Sequence, residues 1–436
     1  MLGDGYDEFE ACMRQPHFRG IRINTLKYHL SDYAGLGLQI RKCPFSDSGF
    51  YLDDDGLSIG NSPWHHAGAI YSQEPSAMSA VSVLDPKPGE RVLDMCAAPG
   101  GKSTQIAAAL GGEGLLWSNE FVRKRAQILL SNVERMGIRN CVVSSAHPDR
   151  LAEGLSGFFD RVLVDAPCSG EGMFRRDAQA IADWSPEHSE TCAVRQLAIL
   201  DSAAECLREG GVLVYSTCTF SFRENEDVMA AFLDSHPDFA PEPCGVEFGR
   251  PGFDRSDKYD LTLTRRIFPM DGGEGHFAAR LRKRGDAAAL PLPSSGAARG
   301  DQEKKALDLF AECFDTEPYG LIRAIGDSCY LLPHMLPDVK GLGVLRGGVL
   351  LGEIMKNRIE PSHALFMAAK ADECRSLVSL QPDSRELMAF LHGEEIPVES
   401  RLKGYAAVAC GGVVTGFGKC SGGRLKNRYP KGLRTL

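Results

Sequence analysis

Arg91-Val92-Leu93-Asp94-Met95-Cys96-Ala97-Ala98-Pro99-Gly100-Gly101-Lys102-Ser103-Thr104 decides the fold of this chain. The short apolar run ending in Asp94 reads as a buried strand, and the small residues after it as a tight turn into a helix over Ser103 to Leu110. Small residues at such a turn let backbone N–H groups approach a ligand. Outward from it, Leu115 to Asn119, Cys141 to Ser144, Arg161 to Asp165 and Val212 to Tyr215 read as further strands. A helix from Val122 to Gly137 shows apolar spacing at Ile128, Leu129, Val133 and Met136. Another is expected to stop at Glu209-Gly210, glycine being a common helix terminator. Strands alternating with helices predict an α/β class with a parallel sheet covered on both faces, a Rossmann-like doubly wound domain over residues 71–285.

The chain has 436 residues, too many for one hydrophobic core, so several domains are expected. Residues 1–70 form a small α+β N-terminal region, with a turn at Asp53-Asp54-Asp55-Gly56. Residues 286–305 read as a linker, on the Pro-, Ser-, Gly- and Ala-rich Leu290 to Lys304. An intermediate domain is expected over 306–375 and a β-rich one over 376–436, where Gly404 to Gly418 has short apolar runs broken by glycine. Met1 to Gly20 has no apolar segment of a secretory signal, and no run reaches the roughly 18 apolar residues of a membrane span. A cytoplasmic address without membrane contact follows, and nothing demands more than a monomer.

Fourteen cysteines include no Cys-x-x-Cys pair, which argues against a zinc ribbon or knuckle, and the histidines form no spaced metal set. Buried thiols in a reducing compartment account for most of them. The formal net charge is −9, against a binder that holds nucleic acid by its global field. Basic residues are nevertheless clustered, as Arg280, Arg282, Lys283 and Arg284, and as Arg424, Lys426, Arg428, Lys431 and Arg434 in a tail without acids. Each cluster is either solvated surface or a local RNA contact, and the tail divides evenly between the two.

Two chemistries compete for the loop after the first strand. Gly100-Gly101-Lys102-Ser103-Thr104 looks like part of a phosphate loop, but that pattern needs glycine where Cys96 stands, and Pro99 removes an N–H that a phosphate cradle would use. An adenosyl cofactor fits better, because Glu120 ends the second strand, where a carboxylate accepts hydrogen bonds from both ribose hydroxyls.

Asp94 to Lys102, Asp165-Ala166-Pro167-Cys168-Ser169-Gly170 and Tyr215-Ser216-Thr217-Cys218-Thr219 resemble, in order and approximate spacing, three signature motifs of the RNA (cytosine-5) methyltransferase family, the Sun-type enzymes. Arg22 to Lys27, Gln73 to Met78 and Gly273-Glu274-Gly275-His276-Phe277 extend the resemblance over roughly residues 20–285. The closing Lys426 to Arg434 is similar to the end of the bacterial ribosomal branch, whose C-terminal domain is a PUA-like RNA-binding unit. The resemblance implies S-adenosyl-L-methionine as cofactor, RNA as partner and 16S ribosomal RNA ahead of transfer RNA as substrate. It implies a cofactor site lined by Cys96, Ala97, Ala98, Pro99, Gly100, Gly101, Lys102, Glu120 and Asp165. A polar residue usually follows the family's third strand to hold the adenine amino group. Here the stretch is Ser144-Ser145-Ala146-His147-Pro148-Asp149, and Ser145 or the backbone is expected to substitute.

Carbon 5 of cytosine is a poor nucleophile until a thiolate adds to carbon 6 and makes the ring an enamine. The base must first be pulled into a pocket, and a carboxyl group near its N3 and amino group is needed to polarise it. Asp165, at the end of the fourth strand, is placed for that task. The resemblance assigns attack to Cys218 and product release to Cys168, where DNA enzymes use the Pro-Cys cysteine as nucleophile. Lys102 either positions base or cofactor or caps the loop, and His276 is either structural or an RNA contact. Trp64, His65 and His66 either stack on bases or pack. A nucleotide hydrolase, and a silent RNA-binding protein on the same scaffold, are the competing readings. Cys96 counts against the first, and the joint presence of Cys218, Cys168, Asp165 and the glycine loop against the second.

Overall fold

The computed structural model describes residues 1–54, 56, 58–286 and 300–434. Most of the stretch read as a linker, Asp55 of the turn and the last two residues of the basic tail lie outside the described residues. The central sheet is built on β1 (Arg91–Asp94), β2 (Leu115–Asn119), β3 (Cys141–Ser144), β4 (Phe159–Asp165) and β5 (Leu207–Thr217), joined by β6 (Arg265–Ile267) and β7 (His276–Lys283). Their order is 6-7-5-4-1-2-3, with β1 to β5 parallel and β7 antiparallel to β5. Alternate residues feed two cores. Leu93, Trp117, Val142, Val164 and Tyr215 face α3 (Pro148–Gly154), α4 (Pro186–Cys206) and α5 (Glu226–Ser235). Val92, Leu116, Val143, Leu163 and Val214 face α1 (Gly101–Leu110) and α2 (Arg123–Arg135). A sheet buried on both faces is the doubly wound arrangement the strand–helix alternation predicts. The chain winds outward in opposite directions from β1, so the ends of β1, β4 and β5 open on one crevice.

One boundary differs from the sequence reading. Glu209-Gly210 does not stop a helix: α4 ends at Cys206, and both residues lie inside β5. Gly210, at φ +69°, sits where the β4–β5 register shifts between Phe159 and Arg161, so it makes a bulge.

The N-terminal region is a four-stranded antiparallel sheet in the order Ile40–Lys42, Gly49–Leu52, Gly20–Ile23, Ile70–Ser72. Its apolar face does not close on itself. Ile21, Phe50 and Trp64 share one core with Leu387, Phe390, Val408 and Tyr429 from the end of the chain. Trp64 is buried and donates its indole N–H to Leu36 O at 3.1 Å, while His66 Nδ1 lies 2.8 Å from the Tyr429 hydroxyl. These aromatic residues therefore pack and do not present faces to bases. Lys27 Nζ adds a 2.8 Å bond to Val414 O across the same junction.

After residue 300, helix Asp301–Cys313 begins inside the stretch read as linker, with Asp301 and Glu303 in its positive first turn. A four-stranded antiparallel sheet follows, Leu321–Ile325, Ser328–Leu332, Val349–Ile354 and Ile359–Pro361. The intervening strand Val344–Gly347 instead pairs antiparallel with β3 and extends the central sheet. The last sheet has five strands, around the hairpin of Gly404–Cys410 and Val413–Ser421 with Gly411 and Gly412 in left-handed conformation at the turn. Among the described residues no helix is long and apolar enough to cross a membrane.

Trp64→Ala should cost about 3–5 kcal/mol of unfolding free energy, as for a large buried aromatic residue. Hydrogen exchange should quicken both in Gly20–Ile23 and in the Gly404–Cys410 hairpin. Loss confined to the N-terminal strands would contradict the shared core.

Candidate active site

The site starts from Asp94, fully buried at the end of β1. Its Oδ2 accepts from Ser103 Oγ at 2.7 Å, and Ser103 also meets Ser118 Oγ at 2.8 Å, which ties the first turn of α1 to β1 and β2. Gly100, at φ +119°, makes the corner, a conformation costly for a residue with a Cβ. Arg125 and Asn132 on α2 donate to Ala98 O and Pro99 O at 3.0 and 2.8 Å, and Ala97 N donates to Asn119 O at 2.8 Å. The loop is thus held from behind with Cys96 and Ala98 facing a cavity of about 770 Å³.

Glu120, 4% exposed, lies on the far wall of that cavity. Its Oε1 accepts from Val122 N at 2.9 Å and its Oε2 pairs with Arg125 at 3.1 Å, which leaves lone pairs for a diol. Ser145 is not brought to the cleft. Its N–H donates to Gly343 O, beyond the strand added to β3, and its hydroxyl to Phe121 O. His147, Pro148 and Asp149 line the cavity in its place. Asp149 accepts from Ser202 Oγ at 2.9 Å, so a carboxylate does stand after the third strand, five residues past its end. A deep carboxylate, small loop residues and a second polar edge suit the ribose, tail and adenine of an adenosyl cofactor.

A second cavity, about 330 Å³, is lined by Gln73, Glu74, Lys102, Gly275 and His276. The two cavities share Cys96, Ala98, Asp165, Ala166, Met173 and Cys218 as a common wall. Lys102 Nζ lies 2.7 Å from Asp165 Oδ2, and Ser216 Oγ donates to Asp165 Oδ1 at 2.8 Å. Burial works against both charges, but each partner outweighs it for the other: the Asp165 carboxyl is held below its usual range and the Lys102 ammonium above its own. Cys168 Sγ and Cys218 Sγ are 3.3 Å apart, and Cys218 N also points at Cys168 Sγ at 3.3 Å. The contact with Cys218, with burial, pushes the Cys168 thiol well above its usual range, so Cys168 keeps its proton. Burial and the Asp94, Asp165 and Glu120 carboxylates do the same to Cys96.

Two acids, the buried Glu224 and the half-buried Glu171, fix the cysteine loops and went unnoticed in the sequence. Glu224 accepts from Ser169 N, Ser189 Oγ and Gln196 Nε2 at 2.9, 2.8 and 2.9 Å, and Glu171 from Thr219 Oγ1 and Phe220 N at 2.9 and 2.8 Å. The run Glu224-Asn225-Glu226 after the Thr217-Cys218 turn was the available signal, since all three are fully buried. The basic cluster on β7 is structural: Arg280 and Arg282 pair with Glu242, and Lys283 Nζ caps Ala204 O at 2.8 Å and Leu207 O at 3.0 Å. In the tail Arg424 pairs with Glu395 and Arg428 with Glu360, while Lys426 and Lys431 are exposed.

Four family descriptions match successive stretches: the N-terminal domain of 16S rRNA methyltransferase RsmF over residues 1–75, 16S rRNA methyltransferase RsmB/F over 81–282, the RsmF rRNA methyltransferase first C-terminal domain over 309–368, and the methyltransferase RsmF PUA domain over 378–435. The ribosomal RNA small subunit methyltransferase F of Klebsiella pneumoniae (strain 342) is 34% identical, across 98% of this chain and 92% of its own. The chain belongs to the 16S rRNA methyltransferase RsmB/F family. A methyltransferase homolog protein from Pyrococcus horikoshii superposes with a TM-score of 0.56 at 32% identity, covering 65% of this chain and 92% of that one. NSun6 from Pyrococcus horikoshii with SFG, at 22% identity and TM-score 0.56 over 65% of this chain and 95% of its own, shares the fold. The RsmB/F family is one of S-adenosylmethionine-dependent enzymes, and the crevice described above lies in its matched region.

Burial raises the Asp94 carboxyl from 3.8 to about 7, with Ser103 opposing the shift. Between those values the folded chain holds a proton that the unfolded chain releases, so stability falls as pH rises from about 4 to about 7. Asp94→Asn should flatten that fall. Urea unfolding of both proteins at pH 5 and pH 8 checks it, and parallel losses in the two would count against the assignment.

Proposed function

We propose that this chain transfers the methyl group of S-adenosylmethionine to carbon 5 of a cytosine in 16S ribosomal RNA, through a covalent bond from Cys218 to carbon 6. One observation carries the reading: Cys218 and Asp165 stand in the wall between a cavity suited to the cofactor and a smaller one sized for a flipped base. When bound, the cofactor supplies an electrophilic methyl group on sulfur. Cys218 provides the thiolate that adds to carbon 6. The ionised Asp165 accepts from the exocyclic amino group, and the Lys102 ammonium beside it balances negative charge that builds on the ring as the thiolate adds. Once the methyl group is on carbon 5, solvent takes the carbon 5 proton, and the freed electron pair re-forms the 5,6 double bond and expels the Cys218 sulfur. Cys168, kept as a thiol against Cys218 Sγ, protonates that sulfur and so assists release. Glu120, with Cys96 to Lys102, holds the cofactor, and Asp149 replaces Ser145 at its adenine end.

Residues 1–70 and 376–436, joined by one core, form the surface that recruits the RNA. The exposed Lys426 and Lys431 are the tail's contribution to phosphate contacts. A single chain in the cytoplasm suffices for this reaction.

The two cysteines should give opposite variants. Cys218→Ala should lose methylation and any adduct, whereas Cys168→Ala should accumulate enzyme covalently joined to RNA, a ribonuclease-sensitive slow band on a denaturing gel. The reverse pattern would move the nucleophile to Cys168. Bisulfite sequencing of ribosomal and transfer RNA from a deletion strain locates the target.

Lys102→Met should leave the half-buried Asp165 without its counter-charge, so its pKa rises. The ionised form is the working one, so the acid limb of the methylation rate should move to higher pH. An unmoved limb would remove Asp165 from the chemistry.

A further inference from the structure

His276 opens β7 opposite Ile267, and its neighbour Phe277 pairs with Thr217, the residue before Cys218. The backbone thereby lays the imidazole along the wall of the 330 Å³ cavity. The ring is 3% exposed, and neither Nδ1 nor Nε2 has a hydrogen-bond partner. The nearest carboxylate oxygen, Asp165 Oδ1, is 3.9 Å from Nε2, too far for a hydrogen bond. Burial, together with the Lys102 ammonium and against Asp165, brings the ring down to about 3, so it is neutral near pH 7. A neutral imidazole offers one N–H donor and one bare acceptor.

The cavity that leaves this ring idle is the one assigned above to the target base. Cytosine presents on its pairing edge one donor, the amino group, and two acceptors, N3 and O2. Ionised Asp165 is acceptor-only and serves the amino group, and Lys102 supplies one donor. A second donor is required, and among the described residues lining this cavity His276 is the side chain whose polar atoms stand buried and unpartnered. We propose that His276 is a catalytic residue that touches the flipped cytosine, donating its ring N–H to the O2 carbonyl. This rests on the reading that a cytosine enters this cavity. The bond holds the base with carbon 6 toward Cys218 and polarises the ring as the thiolate adds.

The test compares wild type, His276→Phe and His276→Gln on a protein-free 16S ribosomal RNA transcript with labelled S-adenosylmethionine. Phe keeps a ring without either nitrogen, and Gln restores an N–H donor. The His276→Phe variant should lose roughly 10- to 100-fold in kcat/KM for RNA, the range of one buried hydrogen bond left unmade. Its affinity for S-adenosylhomocysteine by calorimetry should be unchanged, and its melting temperature unchanged or higher, because two idle polar atoms are removed. His276→Gln should recover part of the loss. Adduct formation on a 5-fluorocytosine transcript should fall in His276→Phe in parallel with kcat/KM. If His276→Phe keeps pace with wild type, or loses activity only together with cofactor affinity and melting temperature, the contact is overturned and the ring is structural. If wild type itself leaves carbon 5 of every cytosine in the transcript unmodified, the reading of the cavity fails, and this inference with it.

Discussion

A lysine ammonium and an aspartate carboxylate 2.7 Å apart, both half-buried at the wall of the two cavities, hold this site together. Lys102 belongs to the first turn of α1 and Asp165 to the end of β4, so the pair joins the cofactor loop to the strand that carries the Pro167-Cys168 turn. Burial works against each charge, and the partner more than offsets it. Their mutual satisfaction keeps an ionised acceptor beside Cys218 and a fixed positive charge beside it. The buried carboxylate of Glu224 and the half-buried one of Glu171 hold the two cysteine loops in a related way, using backbone N–H and hydroxyl donors in place of a cation.

Much of this was legible in the residues. Leu115–Asn119 and Cys141–Ser144 lie where their sequences place them, because each carries an apolar run buried on both faces of the sheet, and the polar residues that close them, Ser118, Asn119 and Ser144, are themselves buried. The three motifs placed Asp94 and Asp165 at strand ends and Cys218 just past one, since Asp94 and Asp165 follow directly from short apolar runs and Cys218 follows Val212 to Tyr215 by way of Ser216 and Thr217. What failed was non-local. Ile128 was read into the apolar stripe of α2 but is 55% exposed, while its neighbour Leu129 is fully buried. Gly210 carries the same left-handed backbone at a bulge as at a helix end, so composition does not separate the two. Ser145 was expected at the adenine because it follows β3, but Gly343, just before the strand Val344–Gly347, claims its N–H. A pairing between segments so far apart leaves no trace in either.

The strand Val344–Gly347 also settles what becomes of the sheet's open edge. β3 would otherwise present unpaired N–H and C=O groups, a template for pairing with another chain. The added strand covers it, and Arg346 pairs with Glu134 of α2 across the same seam. The region after residue 300 is thus stitched into the catalytic domain.

The core shared by the two ends of the chain has a consequence for how the molecule is made. Strands Gly20–Ile23 and Gly49–Leu52 are synthesised long before Phe390, Val408 and Tyr429, the residues that cover their apolar face. The nascent N-terminal sheet must therefore wait, half-covered, while the catalytic domain forms behind it. A chain that stops short of those residues leaves the sheet's apolar face open to solvent, a surface that invites association with other chains.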